Sequence, residues 1–177
     1  MKTIIRRFDS TIVEWVRHIP RSWDPFFLSV THLGDPIVVV LISVVVGLWA
    51  FVQTNIRLVI SAAVVPATLA VGAVLKLLFE RARPVGDFSH LLKLDTFSFP
   101  SGHSSGSMVA YGLLAFLVWK LVPAPYGYVL AVILICVPLV VGISRVYLSV
   151  HHPSDVLAGW LLGLIALGII IFVVRPL

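Results

Sequence analysis

Charge is scarce in this sequence. A soluble domain draws about a quarter of its residues from Asp, Glu, Lys and Arg. Here the share is 12%, beside 59% hydrophobic residues, in a chain of 177. That balance excludes a water-facing surface all round, so the chain must face lipid. Cysteine is nearly absent. Cys136 stands alone in an apolar run, which excludes an internal disulfide and a cysteine metal site. Asp and Glu number 8 and form no cluster, so no oxygen cage for Mg²⁺ is expected. No basic stretch interleaved with aromatics appears, which sets nucleic acid aside despite the net charge of +5. In a membrane protein, that excess reads as interfacial anchoring or an anionic substrate. Strand alternation, internal repeats and low-complexity tracts are also missing, so a barrel is excluded. The basic start from Met1 to Arg7 is followed by no long apolar stretch, because Asp9, Glu14, Arg17 and Arg21 interrupt it. A cleaved signal peptide is not expected.

What is present is a series of long apolar runs. A bilayer core of roughly 30 Å takes about 20 apolar residues as a helix. Five segments fit: Ile37 to Val52 (with a start possible before Pro36), Leu58 to Phe79, His103 to Val122, Tyr126 to Ile143, and Val156 to Val174. The expected fold is all-α, a polytopic membrane helical bundle forming one domain over 1–177, with its transmembrane core at 36–177. Residues 1–35 mix Ile12, Val13, Trp15 and Val16 with Asp9, Glu14, Arg17 and His18, the pattern of an amphipathic interfacial helix. Pro20 and Pro25 break it, and Phe26, Phe27 and Leu28 then dip toward lipid. The polar connections Glu80 to Pro100 and Ser144 to Asp155 fall on one membrane face. Polar chemistry therefore gathers on that side.

Three clusters carry it. The first is Lys76, Glu80, Arg81, Arg83 and Pro84. Lys76 and Arg83 are seven apart, which on a helix is about two turns along one face. The second is Pro100-Ser101-Gly102-His103 at the start of the third span. The third runs from Ser144 and Arg145 to His151, His152, Pro153, Ser154 and Asp155, opening the fifth. Three cations near membrane ends are costly unless they meet water or an anion. Lys76, Arg83 and Arg145 together can neutralise a phosphate dianion. Ser101, Gly102 and His103 offer helix N-terminal N–H groups, and Gly102 lets backbone approach a ligand. Asp155, four residues after His151, can hold one ring nitrogen and leave the other reactive. Pro153 suits a first helical turn. A histidine nucleophile with a histidine acid would serve phosphoryl transfer without a metal or other cofactor.

Lys76-x6-Arg83-Pro84, Pro100-Ser-Gly-His103 and Ser144-Arg145-x5-His151-x3-Asp155, in this order, resemble the type 2 phosphatidic acid phosphatase superfamily. The chain layout is similar to that of its bacterial membrane members acting on phosphatidylglycerol phosphate or undecaprenyl diphosphate. The resemblance implies a lipid phosphatase. His151 would be the nucleophile that becomes phosphohistidine, and Asp155 would orient it. His103 would be the general acid and then base. Lys76, Arg83, Arg145, Ser101 and Gly102 would bind phosphate. The substrate expected is an isoprenoid diphosphate first and a glycerophospholipid phosphate second, its tail lying in the bilayer. Residues Gly86 to Phe99 would read the rest of the head group. The soluble vanadium haloperoxidases share the motifs, but this chain's hydrophobicity sets that activity aside. Better-known bacterial members have six membrane helices. This chain reads as five, with the first either absent or replaced by the amphipathic stretch.

Plainer readings compete. Lys76 and Arg83 can snorkel at a helix end. Gly102 can ease helix packing. Glu80 and Arg81 read as a local ion pair or a solvated face, His152 as a cap or interfacial residue, and His18, His32 and His90 as interfacial. Trp15, Trp23, Trp49, Trp119 and Trp160 read as an aromatic belt. A carrier or channel binding anionic lipid without chemistry would need the cations but not the His151–Asp155 pair. A structural membrane subunit would need neither. On orientation, most basic residues share the site's face, while Arg57, Lys120 and Arg175 take the other. Charge bias thus favours a cytoplasmic active site, whereas family members that recycle lipid carriers face outward.

Overall fold

The computed structural model describes residues 2–86 and 96–174. His90, Lys93 and Arg175 lie outside them, as does most of the expected head-group segment. Among the described residues all regular structure is helical. The helices are α1 (Lys2–Arg17), α2 (Asp24–Thr31), α3 (Pro36–Val52), α4 (Ile56–Phe79), α5 (Gly102–Leu121), α6 (Tyr126–Tyr147) and α7 (Pro153–Val174), with short 3-10 turns at Arg21–Trp23 and His32–Gly34. α4, α5, α6 and α7 are each long and apolar enough to cross a bilayer. A fifth crossing, first in chain order, would be a broken one. Arg21–Gly34 and Pro36–Val52 pass the same test only as a pair, bent by 44°. The sequence suggested a start before Pro36, and the break explains why the apolar run seemed short.

α5 is the centre of the bundle. Within its span 61% is buried, against 28–33% for α4, α6 and α7. Small residues make this possible, because they let helix backbones approach closely. A Cβ at Gly106 would lie 2.9 Å from Leu69, one at Gly112 2.6 Å from Leu167, and one at Gly163 2.6 Å from Met108. The apolar core gathers Val39 and Val46 of α3, Leu58 and Val65 of α4, Val109 and Leu113 of α5, and Ile170 of α7. The outer faces show Leu41, Leu48, Val71, Val132, Leu161 and Leu164 to the surroundings, which suits lipid and not water. The chain is a multi-pass membrane protein. Pro66 inside α4 has no N–H for the carbonyl of Ala62. Ser43 of α3 donates its hydroxyl to that oxygen at 2.7 Å, as the bilayer interior demands.

α1 is amphipathic, as expected. Phe8, Ile12 and Val16 lie against α6 and α7 around a small apolar cavity. Its polar side keeps Arg6, Arg7 and Ser10 exposed. Trp160 departs from the aromatic-belt reading. It sits two turns into α7 and donates its ring N–H to Pro138 O of α6 at 3.0 Å. A Cβ at Gly142 would lie 2.3 Å from the same ring, so Trp160 belongs to the α6–α7 contact.

Candidate active site

Three chain turns build the site at one end of the bundle. α4 stops after Phe79, where Glu80 takes a left-handed backbone with φ 44 and its N–H bonds Lys76 O at 3.0 Å. The chain then leaves regular structure. Ser98 pins it twice, N–H to Arg81 O at 2.8 Å and hydroxyl to Ala82 O at 3.1 Å. α6 runs on to Tyr147, beyond the expected Ile143. A tight turn follows, with Ser149 at φ 54 and the N–H groups of Val150 and His151 on Arg145 O. Pro153 opens α7 as expected. The N-termini of α5 and α7 are joined by Ser101 N–H donating to Asp155 O at 3.0 Å. Gly159 allows that approach, since a Cβ there would sit 2.6 Å from Ser101 O.

His151 is buried at 2% exposure and Asp155 is fully buried. Nδ1 of His151 lies 3.5 Å from Asp155 Oδ2, outside hydrogen-bond geometry, and makes no other hydrogen bond. Nε2 faces Nη1 of Arg83 at 3.3 Å. Burial, the largest cause, pushes the imidazole down to about 3, with Arg145 and Arg83 adding to it and Asp155 opposing. At neutral pH the ring is therefore uncharged. A proton on Nδ1, toward Asp155, leaves the Nε2 lone pair as a nucleophile. Arg83 also donates to Val150 O at 2.9 Å. Burial lowers the Arg83 guanidinium as well, yet arginine stays charged.

Lys76 and Arg83 do converge, but not by helical phase. Arg83 lies past the end of α4. Both reach Thr96, with Lys76 Nζ at 3.4 Å from its hydroxyl and Arg83 at 3.1 Å from the hydroxyl and 2.7 Å from the carbonyl. Arg145 is 2% exposed. Its Nη1 donates to Thr31 Oγ1 at 2.7 Å and its Nε has no partner. Arg145 is close enough to act electrostatically on both His103 and His151. Ser101 caps α5, its hydroxyl accepting from Ser104 N–H at 3.4 Å and from the Ser104 hydroxyl at 2.9 Å. A Cβ at Gly102 would meet nothing within 4 Å, so this glycine does not serve helix packing. His103 directs Nε2 to Asp35 Oδ1 at 2.8 Å.

The residues that sequence reasoning missed are mainly carboxylates and their partners. Arg81 is neither solvated nor locally paired. It donates to Asp155 Oδ1 at 2.6 Å and Ser154 Oγ at 2.7 Å through Nη1, and to Asp9 Oδ2 at 2.7 Å through Nη2. Asp9 is buried and accepts from Ser154 N–H at 2.8 Å. α1 is thus latched to the start of α7 and, through Arg81, to the site's carboxylate. The available signal was an acid on an otherwise apolar side of α1. For Asp35 it was an acid beside a membrane run, which is costly without a partner. Thr31 and Thr96 gave no signal. His152 caps α7 as the plainer reading held, its carbonyl accepting from Asp155 and Val156.

Buried histidine, paired carboxylate, converging cations and a helix N-terminus suit transfer of a phosphoryl group. Residues 56–176 match the PAP2 superfamily. The chain belongs to this family. It is 34% identical over 165 residues to phosphatidylglycerophosphatase B of Bacillus subtilis, covering 91% of this chain and 80% of that protein. It is 39% identical to a putative undecaprenyl-diphosphatase of Escherichia coli, over 72% of this chain and 62% of the other. It is 35% identical to an undecaprenyl-diphosphatase of Sulfolobus acidocaldarius, over 63% and 50%. The crystal structure of a transmembrane PAP2-type phosphatidylglycerolphosphate phosphatase from Bacillus subtilis superposes with a TM-score of 0.85 at 29% identity, covering 98% of this chain and 88% of that one. This PAP2 protein is therefore a membrane lipid phosphatase, a hydrolase whose substrate is a lipid of the surrounding bilayer.

Proposed function

We propose that the chain removes the terminal phosphate of a lipid diphosphate or lipid phosphate through a phosphohistidine at His151. The observation that carries this is the setting of His151, buried at 2% exposure, with Asp155 on its Nδ1 side at 3.5 Å and Arg83 against Nε2 at 3.3 Å. Lys76, Arg83 and Arg145 take the phosphate oxygens, with the Gly102 N–H and the Ser101 hydroxyl beside them. Nε2 of His151 attacks phosphorus while His103 gives a proton to the leaving oxygen. His103 then takes a proton from water, whose oxygen displaces the histidine and frees phosphate. Each step uses groups of the chain and one water. Among the described residues, no group of three His, Cys, Asp or Glu converges as metal ligands would.

An isoprenoid diphosphate is the first substrate proposed and phosphatidylglycerol phosphate the second, and relatives of both names exist. Detergent-purified protein with EDTA should release phosphate from undecaprenyl diphosphate, phosphatidylglycerol phosphate or phosphatidic acid, and the fastest of them names the class. His151→Ala should lose activity by on the order of 10⁶-fold. Release that requires added Mg²⁺ would refute the metal-free course.

The site is proposed to face the cytoplasm. The Asp9–Ser154 bond puts α1, with exposed Arg6, Arg7 and Arg17, at the site's end of the bundle, and positive charge favours the inner side. Ser10→Cys in a Cys136→Ser background should resist an impermeant thiol reagent in intact cells. Labelling there would place the site outside.

A further inference from the structure

The general acid has a carboxylate that no motif names. Asp35 occupies the N-cap position of α3, where an aspartate ordinarily bonds its own helix, yet its side chain makes no capping bond. Oδ1 meets His103 Nε2 at 2.8 Å, and Oδ2 meets His32 Nδ1 at 2.8 Å. The break that carries it is pressed onto the site. A Cβ at Gly34 would lie 2.5 Å from Val141 and 3.3 Å from His103 Cβ. Tyr111 of α5 donates to Leu33 O at 3.0 Å, and Arg145 of α6 donates to Thr31. The bend in the first span is thus a wall of the active site.

We propose that Asp35 is the positioning residue of His103, fixing its ring and tautomer for proton transfer as Asp155 does for His151. The proposal rests on the reading of His103 as the acid and base of the reaction. A carboxylate holding Nε2 as a donor leaves Nδ1 to exchange protons. Lys76 and Arg145 are the cations facing His103, and Asp35 is the anion in contact with it. An imidazolium between two cations needs that counter-charge. In the first step the Nδ1 proton of imidazolium His103 passes to the leaving lipid oxygen as the P–O bond breaks and the P–N bond to His151 forms. In the second step water gives a proton to Nδ1, its oxygen bonds phosphorus and the P–N bond breaks. Asp35 keeps its charge and the Nε2 proton stays in place throughout. His32, an exposed side chain, holds the second oxygen at 2.8 Å and so restrains the carboxylate from swinging off the ring.

The test compares two leaving groups, using the full chain in detergent. Dioctanoyl phosphatidic acid expels an alkoxide that needs a proton, whereas p-nitrophenyl phosphate expels a stable phenolate. Asp35→Asn should lower kcat/KM on the lipid by on the order of 10²-fold, the contribution of a positioned acid, and clearly less on the nitrophenyl ester. In a His103→Ala background the same substitution should cost almost nothing more, as for two residues acting as one unit. Equal losses on both substrates, or a full additional loss without His103, would overturn the proposal and leave Asp35 as a structural prop. If Asp35→Asn fails to fold, His32→Gln, which loosens the same carboxylate, should show the same leaving-group pattern at smaller amplitude. Equal losses in that variant would overturn the proposal too. Wild-type protein that frees phosphate from neither compound, nor from undecaprenyl diphosphate or phosphatidylglycerol phosphate, would instead defeat the proposed reaction, and this proposal with it.

Discussion

The two histidines of the site meet their carboxylates in opposite ways. His151 and Asp155 are only four residues apart in sequence, yet ring Nδ1 and carboxylate Oδ2 are 3.5 Å apart. His103 and Asp35 lie on different spans and meet at 2.8 Å. The difference follows from what else each carboxylate holds. Asp155 gives Oδ1 to Arg81 and Oδ2 to His152 N–H, so His151 competes for an oxygen already in use. Asp35 gives one oxygen to each of two imidazoles. Closeness along the chain therefore does not measure tightness in the fold. Competition among partners does.

Three substitutions break or sharpen this contrast beyond the loss expected at His151 itself. Asp155→Asn should act most strongly, lowering kcat by about 10³–10⁴-fold, as for the orienting aspartate of a serine-protease triad. Steady-state kinetics on the preferred lipid would measure it. A loss no larger than that of Asp35→Asn would mean that the looser pair is no more essential than the tight one. Asp35→Asn comes next, and its leaving-group dependence separates acid positioning from support. The smallest effect is expected at Asp9. Asp9→Asn removes one of the two carboxylate charges that face Arg81, itself two contacts from His151, and kcat should fall about tenfold or less with KM unchanged. An unaltered kcat would show that α1 touches the site's carboxylate without influencing it.

Much of the site was legible because its motifs are local. Pro100 to His103 opens α5, and Arg145 to Asp155 spans one turn between α6 and α7, so spacing alone predicts which groups lie together. Lys76 and Arg83 do come together, but not by sharing a helix face. The helix ends between them, and Thr96 on a returning segment joins them. Arg81 was misjudged because its partners, Asp9 and Asp155, are distant in sequence and nothing local marks them. Trp160 was misjudged because a tryptophan near a helix end looks alike whether it meets head groups or a neighbouring carbonyl.

The sequence by itself determined the solvent, the helices and the candidate groups of the site. Hydrophobic run length sets how many times a chain can cross a bilayer, and a short motif sets which atoms share a helix end. Tertiary structure alone decided that α5 lies at the centre, that the first span breaks at Asp35, and that Asp9 and Asp35 turn inward to an arginine and a histidine. The physical reason is that a carboxylate in apolar surroundings must find a partner, but which partner depends on helix packing that no local pattern encodes.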